Sequence, residues 1–167
     1  MPITQDNLSV TLTTPLGKDK LIIKRFSGEE RVSGLFRFYL EMVSESNSLS
    51  FDSIVGKNVT VTAKLADGKE RYFHGLVGRF VQAGGDEKNT TYLADVYPWF
   101  WMLTLTRDSK IFQNKSVPDI IEAIFKDNGF TDFKNSLKKT YQPREYCVQY
   151  QESAFDFVSR LMEDEGI

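Results

Sequence analysis

The sequence is poor in the residues on which several kinds of protein depend. Its 167 residues include one cysteine, one histidine and five prolines. A single cysteine, Cys147, excludes an intrachain disulfide framework and a zinc site built from thiolates of this chain. Because Cys147 lies in an alternating segment, residues 146–150, we predict that it is a small buried side chain in a strand. Stability is therefore expected to come from a packed core.

The sequence also lacks an excess of positive charge. Lysine and arginine total 21 against 23 aspartates and glutamates, a net charge of -2. Proteins that bind nucleic acid need a basic surplus to displace counterions from the phosphates, so nucleic acid is not expected as a main partner. The basic residues cluster only locally, in what we interpret as a solvated loop: Lys134, Lys138, Lys139 and Arg144.

Long apolar runs are missing as well. No run approaches the roughly 20 residues that a transmembrane helix requires. Residues 1–6 have neither the basic region nor the apolar segment of a signal peptide. We therefore expect synthesis in the cytoplasm, no stable membrane insertion by these residues, and export only by a route without a signal peptide.

The single histidine, His74, limits the catalytic options. A Ser–His–Asp arrangement would need it as the base, and the sequence has no Gly-x-Ser-x-Gly motif. The consecutive carboxylates of residues 163–165 are expected to fan into water at a helix end. Residues 84–86 lack the strand-to-helix context of a phosphate loop. The sequence therefore predicts no catalytic residue, metal or cofactor, and no enzyme.

Aromatic residues, by contrast, make up 13% of the chain, which favours strands. From residue 8 to about 105 the chain alternates as strands do, and in Phe36–Met42 every second side chain is apolar. A second hairpin is predicted with its turn at residues 84–89. Strands at this spacing are typical of a barrel or sandwich.

One hairpin can be predicted in register. Asp67-Gly68 favours a two-residue turn, which pairs Val61 with His74 and places the histidine on the apolar face as a structural residue. Gly75 and Gly78 in the returning strand predict bulges, and with them the bending that closes a small barrel.

The hydrophobic period changes from about residue 107. Ser116 and Ser153 are each followed by apolar residues at helical spacing, and Gly129 and Gly166 end the two helices. The predicted fold is α+β and mainly β. A small closed β-barrel over residues 1–106 precedes an α/β domain over residues 107–167. Because the last helix leads to no further element, we expect this domain to be incomplete and the protein to be longer.

One aromatic segment is unusually dense. Read as a strand, it places both tryptophans on one face and apolar side chains on the other, so both faces need cover. Three interpretations stay open: a core at the domain junction, a subunit interface, or a sugar-stacking platform. The candidate domain or subunit interface comprises Tyr97, Trp99, Phe100, Trp101 and Met102.

Three segments of the chain resemble one family. They are residues 72–80, with Tyr-Phe-His-Gly, residues 97–121, with Tyr-Pro-Trp-Phe-Trp-Met-Leu, and residues 144–167, with Arg-Glu-Tyr-Cys-Val-Gln-Tyr and Phe-Val-Ser-Arg-Leu-Met-Glu-Asp-Glu-Gly-Ile. Together they are similar to the N-terminal part of VgrG, the spike protein of bacterial type VI secretion. The resemblance extends over about residues 8–167.

The resemblance implies a fold like the hub of a contractile phage tail. It implies a homotrimer whose ring sits on the hexameric Hcp tube, and a PAAR tip protein and effectors bound through parts of the protein beyond these residues. It supplies no catalytic residues in this region. The expected function is mechanical, as the base of a cell-puncturing spike that is injected by contraction.

Two alternatives stay open beside this interpretation. The chain is also compatible with the hub of a contractile phage tail or of an extracellular injection particle, because these machines share the hub fold. From a different class, a carbohydrate-binding β-domain would use Trp99 and Trp101 as a stacking platform, which requires both rings to be exposed.

Overall fold

The computed structural model describes residues 3–167, and the chain divides into two compact units between Pro98 and Trp99. None of the helices among the described residues is long and apolar enough to cross a membrane.

The first unit is one antiparallel sheet of six strands in the order β1-β4-β5-β6-β3-β2. The edge strands β1 and β2 approach each other, but no hydrogen-bonded ladder joins them within residues 3–98. The predicted closed barrel is thus a curled half-barrel, and the α+β, mainly β class is confirmed. The strands are β1 (Val10–Thr13), β2 (Ile22–Glu29), β3 (Arg37–Ser44), β4 (Asn58–Lys64), β5 (Glu70–Gly85) and β6 (Thr90–Tyr97).

The inner face of the half-barrel holds the core of this unit. On β3 the side chains of Phe38, Leu40 and Met42 point inward and are buried, as the alternation predicts. Tyr92 of β6 is fully buried and its ring stacks on Phe80 at 5.2 Å. The apolar faces of the strands therefore form one continuous core.

The β4–β5 hairpin differs from its prediction by one residue. Leu65 N donates to Lys69 O at 2.8 Å, so the loop has three residues and ends at Gly68 with a φ of +80°. A shift of one residue moves a side chain to the other face of a sheet. His74 therefore pairs with Thr60 rather than Val61 and is exposed. The prediction of a packed histidine on the apolar face is wrong.

Gly75 and Gly78 of β5 have different roles. The β5–β6 register shifts between Val77 and Arg79, so the bulge predicted at Gly78 is confirmed. At Gly75 the β4–β5 pairing runs without interruption, and the predicted bulge is absent from that ladder. A Cβ on Gly75 would lie 2.5 Å from the carbonyl oxygen of Tyr97. Gly75 thus permits close approach of the backbones rather than a bend.

The second unit combines two strands with helices. β7 and β8 pair antiparallel, and α1 and α2 pack against each other. Ser116 and Ser153 cap these helices, and Gly166 takes the left-handed conformation that ends α2, as predicted. The elements are a 3₁₀ helix (Trp99–Leu105), β7 (Arg107–Lys115), α1 (Val117–Asp127), β8 (Arg144–Ser153) and α2 (Ala154–Glu165).

The core of this unit forms where the helices pack against the two-stranded sheet of β7 and β8. Apolar side chains of α1 and α2, spaced three and four residues apart, bury one face of each helix. Leu103 of the 3₁₀ helix is fully buried in the same cluster. The sequence interpretation assigned residues 99–106 to the barrel domain, whereas the 3₁₀ helix packs with the second unit.

Candidate subunit and domain interface

The aromatic segment that the sequence singled out is not one strand. β6 ends at Tyr97, and a 3₁₀ helix begins at Trp99. Hydroxyl groups satisfy carbonyls at the end of this helix, since Thr104 Oγ1 donates to Trp101 O at 2.7 Å. The predicted strand over residues 97–103 is therefore wrong beyond Tyr97. After Pro98 the chain does not stay extended but continues as a 3₁₀ helix that begins with Trp99, Phe100 and Trp101.

The change of conformation separates the two tryptophans. A 3₁₀ helix has three residues per turn, so positions two apart are rotated by about 240° and do not share a face. Trp99 and Trp101 therefore do not form the common stacking surface that a carbohydrate-binding platform requires. Both side chains are half-buried rather than exposed.

Trp99 and Phe100 pack inside the second unit. The Trp99 ring stacks on Phe130 at 4.6 Å and meets Phe125 edge to face at 4.9 Å. The Phe100 ring lies 5.0 Å from that of Phe155. These geometries are those that aromatic rings prefer. Trp99 and Phe100 thus anchor the 3₁₀ helix to the core of the second unit.

The remaining residues of the candidate interface are half-buried. Tyr97 closes β6 in the first unit, and Trp101 and Met102 lie on the 3₁₀ helix of the second. A set that spans the end of one unit and the start of the next suits a junction or a subunit contact. Its role as an interface stays a prediction.

A charged cluster lies on the outer face of the half-barrel, next to Tyr97 along the chain. Asp95 Oδ2 accepts a hydrogen bond from Arg37 Nη2 at 3.0 Å and lies 3.6 Å from Arg79 Nη1. Arg37 Nη2 also donates to Tyr39 Oη at 2.7 Å. The Arg37 guanidinium covers the Tyr39 ring at 4.6 Å and approaches the Tyr97 ring at 5.7 Å.

Hydrogen bonding and burial determine the electrostatics of this cluster. The hydrogen bond to Asp95 raises the pKa of Arg37, because it favours the charged guanidinium. Burial, followed by the nearby Asp95 charge, raises the pKa of Tyr97, because both disfavour a phenolate. Asp95 Oδ1 is buried and has no hydrogen-bond partner in the described part of the chain.

Sequence reasoning missed this cluster. Asp95 is a carboxylate at an outward position of an alternating strand, and such a position is ordinarily predicted to be solvated. Its partners lie on β3 and β5, 58 and 16 positions away. The one available signal is the alternation itself, which places Arg37, Tyr39 and Asp95 on outward positions of their strands.

The other residues singled out from the sequence have structural surroundings. Cys147 is buried in β8, as predicted. Of the acidic residues that end α2, Glu165 Oε1 lies 2.9 Å from Arg144 Nη2 and Asp164 Oδ2 lies 3.6 Å from Arg144 Nη1. Within residues 3–167, no group of three or more histidine, cysteine, aspartate or glutamate side chains is placed to hold a metal ion.

Comparison with solved structures defines the class of protein. The chain superposes with a TM-score of 0.71 and 25% identity on a component of the E. coli type VI secretion system, over 94% of this chain and 41% of that one. That protein is described as structurally similar to the T4 bacteriophage tail proteins gp27 and gp5. A 43 kDa tail protein of a Shewanella oneidensis prophage shares the fold, with a TM-score of 0.58, 18% identity and coverage of 94% and 48%. The fold is thus that of phage tail proteins and their secretion counterparts.

The family assignment is direct. The model of the phage tail baseplate hub (GPD) family matches residues 29–167, and the chain belongs to that family. It is 44% identical over all 167 residues to the type VI secretion system spike protein VgrG1b of Pseudomonas aeruginosa, and 45% identical over 158 residues to VgrG1a of the same organism. The resemblance stated from the sequence is confirmed.

These relatives are much longer than the chain. It spans 22% of the length of VgrG1b and 25% of the length of VgrG1a. The actin cross-linking toxin VgrG1 of Vibrio cholerae is 29% identical over 161 residues, which are 91% of this chain and 15% of that relative. The similarity therefore concerns one region that proteins of different overall length have in common.

Proposed function

We propose that this chain forms part of the hub at the base of a type VI secretion spike. The observation that carries the proposal is the 44% identity to a type VI secretion spike protein over every residue of the chain. The half-barrel fits a mechanical role, because its six strands are joined in one hydrogen-bonded sheet around one continuous core.

In this proposal three copies of the full protein assemble into a ring that sits on the Hcp tube. The PAAR tip protein and the effectors bind through parts of the protein beyond these residues. Closed rotational symmetry is the usual arrangement of soluble homo-oligomers. The half-barrel and the unit that follows it form the domains of this ring, and Tyr97, Trp99, Phe100, Trp101 and Met102 line a junction or subunit contact within it.

The proposed role is structural and non-enzymatic for this region. In this proposal the protein is made in the cytoplasm and leaves the cell when sheath contraction drives the spike outward. No nucleic acid is bound. Any enzymatic activity of the whole protein would belong to other regions.

Native mass spectrometry of the full-length protein from its own source tests the assembly. The expected result is a trimer, and a monomer under native conditions would overturn the proposal. In cells, deletion of the gene is expected to abolish release of Hcp into the medium, and complementation is expected to restore it. Normal Hcp release in the deletion strain would show that the secretion machine does not require this protein.

A second candidate is the hub of a contractile phage tail or an extracellular injection particle. The hub-family match and the fold shared with a prophage tail protein favour it. Particles collected by ultracentrifugation from culture supernatants distinguish the candidates. Tail particles that contain the protein and disappear in the deletion strain would support the second candidate, whereas Hcp release that depends on the gene supports the first.

A further inference from the structure

The charged cluster around Asp95 is placed where a sheet normally presents solvated side chains. Asp95 pairs directly with Tyr39 on β3 and with Arg79 on β5. Its neighbours Ala94 and Val96 point into the core, so Asp95 belongs to the outer face. It is nevertheless only 1% exposed. A carboxylate is therefore buried on the outer surface of the half-barrel.

The stability of the unit does not explain this arrangement. Burying a carboxylate removes its hydration, and well-packed apolar residues often replace buried ion pairs without loss of stability. Both arginines approach the same oxygen, Oδ2, while Asp95 Oδ1 is left buried without a partner among residues 3–167. An unpartnered buried polar atom opposes folding. The cluster thus has a feature that a purely structural ion pair would not need.

The effect of the Asp95 carboxylate is to position the guanidinium groups of Arg37 and Arg79. The side chains of Arg37 and Arg79 are 45% and 56% exposed, so both present donors to the outside. Arg37 lies over the Tyr39 ring, and its Nη2 donates to Asp95 and Tyr39, whereas a guanidinium carries five N–H donors in all. A pre-positioned arginine loses less conformational freedom when it binds a carboxylate.

We propose that Arg37 and Arg79, positioned by Asp95, form a docking site for a carboxylate side chain of a second copy of this chain. Two guanidinium groups against one carboxylate leave a surplus of one positive charge, which selects an acidic partner. A second copy offers such groups, because 23 of its 167 residues are aspartate or glutamate. Arginine and tyrosine are also enriched where protein interfaces gain most of their affinity.

The surface around the cluster suits a protein partner. Leu93 pairs with Glu41 on one side and Val81 on the other, and continues the outer face beyond Asp95. Leu93 and Val81 are only half-buried, so apolar area adjoins the charged site. An apolar patch beside two neighbouring arginine side chains is typical of a subunit contact. This inference rests on the homotrimer of the proposed function.

The test measures the trimer dissociation constant of the full-length protein by sedimentation at several concentrations. The double variant Arg37→Gln and Arg79→Gln removes both positive charges and keeps polar side chains. It is expected to weaken the trimer by about tenfold or more. The matched control, Lys18→Gln with Lys69→Gln, removes two exposed positive charges that pair with Asp6 and Asp67. It is expected to change the constant by less than about twofold.

A third variant, Asp95→Asn, separates positioning from direct contact. It keeps both arginines but removes the charge that holds them. A weakening smaller than that of the double variant is expected, together with a greater loss of affinity at high salt, because the two arginines then carry a surplus of two positive charges. Circular dichroism establishes that each variant is folded, and if the double variant is not, Arg37→Lys with Arg79→Lys takes its place. Lysine keeps the charge but not the planar fork, so weakening is expected there as well.

The outcomes are distinct. If the double variant and the control have the same dissociation constant as the natural protein, the docking site is refuted, while the trimeric hub stands. Equal weakening by the double variant and the control also refutes the site, because it indicates a general effect of charge. If the natural protein itself does not trimerise, the proposed function and this inference both fail.

Discussion

Thr60 Oγ1 and His74 Nδ1 lie 2.8 Å apart across strands β4 and β5, on the outer face of the half-barrel. The histidine is exposed, and the residue next to Thr60, Val61, is buried on the inner face. One residue of hairpin register decides whether Phe73 or His74 of β5 lies opposite Val61 and faces the core. The only histidine of the chain is thus a surface residue.

This register predicts unequal effects of substitution on the free energy of unfolding. His74→Ala removes an exposed side chain and is expected to change that energy by less than about 0.5 kcal/mol. Val61→Ala leaves a cavity in the core and is expected to cost about 2 kcal/mol. Urea unfolding followed by circular dichroism measures both. Large losses with both variants would indicate the other register, in which Val61 and His74 share the inner face.

Gly75 is predicted to be intolerant of any side chain. An added Cβ would lie 2.5 Å from Tyr97 O and 2.8 Å from Val96 Cγ1, so the strands would have to separate. Gly75→Ala is expected to destabilise the protein by about 1–3 kcal/mol in thermal or urea unfolding. Gly34→Ala is the control, because the nearest atom to its Cβ is 3.4 Å away in a loop. Equal stability of the two variants would contradict the close approach of the strands.

Trp99 is predicted to stabilise the second unit through its ring contacts. Trp99→Ala removes a stack on Phe130 and an edge contact with Phe125, and is expected to cost about 3 kcal/mol. Leu105→Ala, at the other end of the same 3₁₀ helix and 62% exposed, is expected to cost less than about 0.5 kcal/mol. Unfolding curves of the two variants provide the comparison. Unchanged stability of Trp99→Ala would contradict the packing of this ring in the core of the unit.

The Glu152–Arg160 pair predicts a dependence of stability on pH. Glu152 accepts from Arg160 Nη2 at 2.7 Å and from Nε at 3.0 Å, and the hydrogen bonds lower the pKa of Glu152 below its ordinary value of 4.5. A carboxylate whose pKa is lower in the folded state stabilises the fold above its unfolded pKa. That contribution is lost as the pH falls through the folded pKa.

The corresponding measurement compares the natural protein with Glu152→Gln from pH 7 to pH 3. The natural protein is expected to be more stable at pH 7, and the difference is expected to shrink below about pH 4.5. Because both side chains are partly exposed, added salt is expected to reduce the difference at pH 7. A difference that stays constant over this pH range would show that the ion pair does not contribute.

Local features of the sequence were sufficient where neighbouring residues decide the structure. Ser116 and Ser153 were predicted as helix caps because capping needs only a hydroxyl and a free amide within three residues. The alternation of Phe38, Leu40 and Met42 predicted the buried face of β3 for the same reason. The motifs of residues 97–121 and 144–167 likewise indicate the hub family, because each is a continuous stretch of the chain.

Features that depend on residues far apart in the chain were decided only by the tertiary structure. The strand predicted at the tryptophans became a 3₁₀ helix whose rings pack on Phe125, Phe130 and Phe155. The Asp95 cluster needs β3, β5 and β6 in register before its three charges meet. Periodicity determines which positions of a strand share a face, but only the folded sheet determines which strands are neighbours. The sequence alone therefore predicted the alternating face of β3, the two helices with their caps and the family, and the packing of the elements created the candidate docking site.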